Sequence, residues 1–266
     1  MSVIRLGVVS YLNARPLIEG LDADPRVRLC YDVPAALPGY LERGDVDVAL
    51  VPVFDLIRAP RRFRIISDAC IGCDGETMTV RVFSQVPPDR IRTLWVDPDS
   101  HTSVALARVL WRDLYDTTLA LRPIQPGQAL TTDCEAALLI GDKVVDPRRG
   151  SFAFEVDLGG AWRAQTGLPF VFAVWARLAT GEALATADAE TILQTARDAG
   201  VMRAAGIAAE WGPRHGWPVA LAERYLVRRL SYRLTDALRA GARMFASKCE
   251  HLELCATGAA AAFESS

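Results

Sequence analysis

Short apolar runs alternate with amphipathic stretches over the first two thirds of the chain, and the last third is amphipathic almost throughout. The first unit reads as strands at 3–9, 27–31, 46–51 and 64–67, with short helices at 15–20, 35–43 and 54–58 between them. Brief apolar runs bounded by turn residues suit strands buried on both faces, the construction of a parallel α/β layer. Gly44-Asp45 separates one helix from the next strand, as a helix C-terminus followed by a turn requires. The segment 78–84 alternates Val80, Val82 and Ser84 against Thr79, Arg81 and Phe83, and Pro87-Pro88 then punctuates the chain.

A second unit repeats the grammar. It has strands at 93–96, 119–122, 136–140 and 154–158, and a short helix at 159–166. Val104, Leu106, Ala107, Leu110, Trp111 and Leu114 recur near 3.6 spacing and predict a helix over 102–114. Trp162 and Trp175 fall inside apolar, regularly spaced stretches and read as core. A long apolar strand at 170–177 carries the chain back, and after Thr180-Gly181 every segment reads as helix, at 187–199, 202–211, 219–228 and 231–245. Two α/β units joined by two extended crossings, 78–84 out and 170–177 back, predict two lobes with a ligand cleft between them. Residues 1–84 with 178–266 form the first lobe and 85–177 the second, and both crossings act as hinge strands. Gly167, just before the return strand, either supplies a backbone angle open to glycine or simply ends the helix at Thr166.

Composition narrows the partners. The 266 residues are 51% hydrophobic, and 30 basic residues nearly cancel 32 acidic ones. No basic tract interleaved with aromatics stands out, which argues against nucleic acid. No apolar run approaches the ~20 residues that span a bilayer, and residues 1–9 lack the marks of a signal peptide, so a cytoplasmic protein with no membrane contact is expected. The six cysteines are then reduced thiols. Cys70-Ile-Gly-Cys73 has no second pair at metal-site spacing. Cys249, His251 and Cys255 complete a zinc site only if the fold brings them to it, and buried thiols packing as small hydrophobes are the reading taken, with no metal and no cofactor.

The candidate chemistry begins where the first strand ends. Ser10, Tyr11, Asn13 and Arg15 follow its apolar residues at once, and Pro16 presets φ for a helix start. Hydroxyl, amide and guanidinium groups at a strand end, ahead of free helical N–H groups, suit an anion. Capping by Ser10 or Asn13 accounts for one such side chain rather than for the cluster. Open α/β sheets bind ligands beyond the carboxyl ends of their strands, so residues 10–15, 100–103 and 141–142 should converge on the cleft.

Four segments occur in order: Gly7-Val-Val-Ser-Tyr-Leu-Asn-Ala-Arg-Pro-Leu17, Ser100-His-Thr-Ser-Val-Ala-Leu106, Leu139-Ile-Gly-Asp142 and Asp157-Leu-Gly-Gly-Ala-Trp-Arg-Ala-Gln-Thr-Gly-Leu-Pro-Phe-Val-Phe-Ala-Val-Trp175. Together they resemble the chorismate dehydratase family of the futalosine route to menaquinone, from residue 3 to about residue 247. The resemblance implies a fold like the type 2 periplasmic binding proteins and a hydro-lyase reaction. Chorismate would lose water to give 3-[(1-carboxyvinyl)oxy]benzoate. Two positions depart from the family: His101 stands where Arg or Ala is usual, and in the outward strand Thr79 replaces Ser while Arg81 replaces an apolar residue.

Chorismate is a dianion with a ring hydroxyl that must leave, so the resemblance implies donors. Arg15, Ser10, Thr79, Thr102 and Ser103 supply them, with Tyr11, Ser100, His101, Gly141 and Asp142 completing the binding set. Ser100–Ser103 is also an N-cap, and a cap loop serves equally as an anion loop. His101 could protonate a leaving hydroxide, but a place where the family tolerates Arg or Ala reads as rim. Asp142 and Asp157 are the nearest bases, yet both precede helices and read as caps. The substrate's own enolpyruvyl carboxylate then takes the proton, and Asn13 contacts the departing hydroxyl as the catalytic residue. Rival readings are 1,4-dihydroxy-6-naphthoate synthase of the same pathway, a transport receptor or other non-catalytic small-anion-binding protein, and the sensing domain of a transcription regulator. The oligomeric state stays open.

Overall fold

The computed structural model describes residues 3–125, 134–147, 150–180 and 186–263, so Gly181 lies outside the described residues. The first part runs β1 (Ile4–Val9), a 3-10 turn (Leu12–Leu17), β2 (Val27–Asp32), α1 (Leu37–Arg43), β3 (Val48–Pro52), α2 (Val53–Arg58) and β4 (Phe63–Cys73). Then come β5 (Val80–Ser84), β6 (Thr93–Val96), α3 (His101–Tyr115), β7 (Ala120–Pro123), β8 (Ala136–Ile140) and β9 (Phe154–Asp157). The chain returns through α4 (Leu158–Thr166), β10 (Phe170–Leu178), α5 (Thr186–Met202), α6 (Ala204–Trp211), α7 (Val219–Glu223), a π-helical turn (Arg224–Arg229), β11 (Leu230–Arg233) and α8 (Asp236–His251).

Two sheets result, ordered β11-β4-β10-β3-β1-β2 and β7-β6-β8-β5-β9. β1 pairs in parallel with both β2 and β3. Val48, Ala49, Leu50 and Val51 are all fully buried, as a strand covered on both faces demands. α5 packs on β4 and α8 on β10. Trp162 and Trp175 are fully buried in the main core. That core runs without a break from Leu6, Leu50 and Val174 of the first sheet to Leu94, Leu106 and Leu138 of the second lobe. A satellite core of Leu12, Met78, Ile207, Trp217, Tyr225 and Leu226 lies beneath α6 and α7.

The crossings differ from the expected hinge strands. β5 belongs wholly to the second sheet and β10 wholly to the first. Neither strand bridges the lobes, and division by sheet falls between 79 and 80 and after 157 rather than after 84 and 177. The links are residues 74–79 and helix α4. One carboxylate ties them together: Asp157 accepts from the N–H groups of Thr77 (2.9 Å) and Met78 (2.7 Å), and from Gly160 (3.0 Å) as the N-cap of α4. Asp157 therefore caps, as expected, and adds a clamp on the outward link. Arg81 finds Glu155 at 3.0 Å and Asp157 at 3.4 Å, so the neighbouring strand answers its charge. Gly167 has φ 69 and caps α4 with its N–H on Arg163 O at 2.9 Å.

Two local expectations change. Residues 230–233 form a strand beside β4 rather than the start of a helix, with Leu230 opposite Cys73. The helix expected at 15–20 is a 3-10 turn that begins at Leu12 and holds Pro16 inside it.

Candidate active site

The polar ends of β1, β5 and β8 meet the N-terminus of α3 at one cleft between the lobes. It encloses about 510 Å3, open mouth included. Tyr11 and Asn13 line it from the 3-10 turn, Thr77 and Thr79 from the outward link, Ser100, Thr102 and Ser103 from α3, and Gly141 from the end of β8. Phe172 and Ala173 of β10 and Tyr225 of the π-helical turn close the apolar side. No Arg or Lys is among the described residues that line it.

The α3 end is a cap that faces the cleft. Ser100 Oγ accepts the Ser103 N–H at 3.2 Å and donates its own proton to Ser103 Oγ at 2.8 Å. Ser103 Oγ is the acceptor of that bond, so its own proton is not used in it. Thr102 is committed elsewhere, since its Oγ1 accepts the Phe54 N–H at 3.1 Å and lies 3.4 Å from Phe172 O. It fastens α3 to the first lobe. The terminal N–H groups of this 15-residue helix carry its dipole toward the cleft.

Gly141 and Tyr11 fit each other across the lobes. Gly141 has φ 59, and a Cβ there would lie 2.6 Å from the Tyr11 ring. The Tyr11 hydroxyl donates to Asp99 at 3.1 Å. Burial first, then the charges of Asp99 and Asp97, push its ionisation far above the ordinary phenol range. Lys143 bridges Asp97 and Asp99. Burial raises the Asp97 pKa against the opposing pull of Lys143. For Lys143, burial lowers the pKa but the two carboxylates reverse that and hold the ammonium charged.

Four residues expected in the cleft stand beside it. Arg15 points outward, because the 3-10 turn starts three residues early. Its guanidinium stacks 3.6 Å above the Trp211 ring centroid and 5.2 Å from that of Tyr31. Asp142 accepts from Trp217 Nε1 at 2.8 Å and from the Leu12 N–H at 3.3 Å, and meets His215 Nδ1 at 2.8 Å. It is a link between lobes, broader than the cap expected. His101 is half-exposed at the rim with Nδ1 2.9 Å from Asp55. Ser10 is half-buried and gives its backbone N–H to Asp32 O at 3.0 Å. Asn13 is in the cleft, and its Oδ1 is buried with no hydrogen-bond partner.

Tyr225 and Thr77 were missed from sequence. Tyr225 is 1% exposed, and its hydroxyl lies 2.6 Å from Thr79 Oγ1. Its segment scans as an ordinary amphipathic helix, and only the π-turn brings the ring to the cleft. The CxxC cysteines lie on β4, both fully buried, and burial pushes the Cys70 thiol up to about 12.

The menaquinone biosynthesis family matches residues 4–251. The chain is similar to chorismate dehydratase of Thermus thermophilus, with 28% identity over 258 residues, 91% of this chain and 93% of that protein. In fold it resembles a protein from Archaeoglobus fulgidus, with a TM-score of 0.75 and 13% identity across 94% of this chain and 98% of that one. It also resembles a Candida albicans protein described as having the generic periplasmic binding protein fold, with a TM-score of 0.66 and 8% identity, covering 98% of this chain and 94% of that one.

Proposed function

The chain belongs to the menaquinone biosynthesis family, and from that premise we propose that it is a chorismate dehydratase, a hydro-lyase forming 3-[(1-carboxyvinyl)oxy]benzoate. The observation that carries the reading is the cleft itself, a site of hydroxyl, amide and helix N–H groups drawn from both lobes. The relative of similar sequence and length that bears the same activity supports it.

The reaction breaks the C–H bond at the ether-bearing ring carbon and the C–O bond of the adjacent ring hydroxyl. The new double bond makes the ring aromatic, so the step is downhill and only the barrier needs help. The enolpyruvyl carboxylate takes the proton and returns it to the leaving hydroxyl, which departs as water and leaves the carboxylate ionised again. A carboxylate paired with a guanidinium would be a poorer base, its pKa lowered by ~1–3 units. Backbone N–H groups lower a carboxylate's pKa as well, so the carboxylate that takes the proton is the one not seated on the helix end. The α3 N-terminus and Ser103 hold one carboxylate, while Asn13 and Thr79 face the reacting edge of the ring. The protein contributes chiefly position and a dry environment. Six free thiols are consistent with work in the cytoplasm, and no helix among the described residues is long and apolar enough to cross a membrane.

The test is direct. Purified protein incubated with chorismate should consume it and release the aromatic product, followed by absorbance and mass spectrometry. Tight chorismate binding with no turnover would leave a small-anion-binding protein instead, and the proposed reaction would be withdrawn.

A further inference from the structure

We propose that Tyr225 is a positioning residue of the cleft, whose hydroxyl turns the Thr79 hydroxyl proton into the cleft. The role in turnover rests on the chorismate reading, whereas the arrangement itself does not.

The phenol is held from two sides. Its ring stacks on Trp217 with centroids 4.9 Å apart and planes 7° from parallel. The Trp217 N–H is anchored on Asp142. A π-turn carries Tyr225, and the extra residue such turns insert is a recurrent means of re-aiming a side chain at a site. The hydroxyl thus arrives at a fixed place, 2.6 Å from Thr79 Oγ1.

Counting donors gives the direction of the bond. Between Tyr225 and Thr79 there are two hydroxyl protons and one hydrogen bond. A phenol ionises more readily than an aliphatic alcohol and is the better donor, so Tyr225 gives its proton to Thr79 Oγ1. The Thr79 proton is then surplus, and Thr79 lines the cleft. Donation along such a chain strengthens the last donor, the one that meets the leaving hydroxyl.

Tyr225→Phe keeps the stacked ring and removes the relay. Expected is a fall in kcat of about 10–100-fold with KM within about twofold, the signature of an interaction realised in the transition state. Adding Thr79→Val to Tyr225→Phe should cost little more, because the two act as one unit. A wild-type kcat, or a loss confined to KM, overturns the proposal. A measurement on the wild-type protein needs neither a folded variant nor chorismate. The Thr79 methyl protons should show an NOE to the Tyr225 ring protons beside the hydroxyl, and its absence means that the phenol does not reach Thr79 and overturns the proposal. Wild-type protein that leaves chorismate untouched defeats the proposed reaction alone, and the NOE then decides Tyr225.

Discussion

Gly141→Ala isolates the contact that brings the lobes together. Two costs add. An alanine at φ 59 costs ~1–2 kcal/mol in the left-handed region. Its Cβ would also stand 2.6, 2.7 and 2.9 Å from three Tyr11 ring carbons, well inside ordinary contact. The ring must shift by most of an ångström, yet Tyr11 is buried and tied to Asp99. Losing that hydrogen bond to a charged acceptor costs ~1.5–3 kcal/mol. The total is about 2.5–5 kcal/mol, read as a lower urea midpoint at constant m-value. Gly216→Ala is the control, since Gly216 has φ 79 and nothing within 4 Å of an added Cβ, so it meets the backbone cost alone. In a Tyr11→Ala background the excess at Gly141 should vanish, which a double-mutant cycle measures. Because Tyr11 and Gly141 line the cleft from opposite lobes, KM for chorismate should rise as well. If Gly141→Ala costs no more than Gly216→Ala, the Tyr11 packing does not shape the cleft and the reasoning fails.

Arg15→Ala should change the KM for chorismate less than about threefold and cost about 0.5–1 kcal/mol of stability from lost cation–π stacking; a hundredfold rise in KM would return Arg15 to the site. A thiol reagent at pH 8 should label the half-buried Cys30 and Cys255 first, and Cys70, Cys73 and Cys249 only on unfolding. Because the Cys70 pKa rises from 9.0 to about 12 on folding, its contribution is fully present below pH 9.0 and is lost as the pH climbs toward 12. A denaturation series that shows no loss of stability across that window would count against burial of the thiol. Gly167→Ala should lower stability by ~1–2 kcal/mol through its φ of 69, with kcat unchanged, since the residue caps α4; a changed kcat in folded protein would restore the hinge reading.

Much of the architecture was legible because local signals and global fold agree. The buried runs at 48–51 and 136–140, the 3.6 spacing of 102–114 and the glycine after 43 each fix an element by themselves. The polar strand ends that supply Tyr11, Asn13, Ser100, Ser103 and Gly141 to the cleft were legible for the same reason: strands run out at its edge. What was misread depends on partners distant in sequence. Leu230, Tyr232 and Leu234 alternate with period two, yet they lie among helix-forming neighbours, and β11 exists because β4 offers an edge. Strands 80–84 and 170–178 look alike as crossings, and only their pairing assigns each to one sheet. Arg15 and Tyr225 were placed by a 3-10 start and a π-turn. Each rotates the side chains that follow, and neither leaves a mark on hydrophobic periodicity.

The placement of charge around the cleft then acquires a reason on the proposed reading. Cations are present nearby but occupied: Lys143 is spent on Asp97 and Asp99, and Arg15 on aromatic rings outside. A lining guanidinium would bind a dianion more tightly, but it would stabilise the carboxylate in the ground state and weaken it as a base. Binding energy that is equal in ground and transition states lowers KM without raising kcat. Helix N–H donors also weaken the carboxylate they hold, so the α3 N-terminus and Ser103 serve the reaction only if they hold the ring carboxylate and leave the enolpyruvyl carboxylate, the proton acceptor, basic. On that logic the affinity lost by excluding cations from the lining is recovered as rate, with the substrate supplying the one strong base that the cleft lacks.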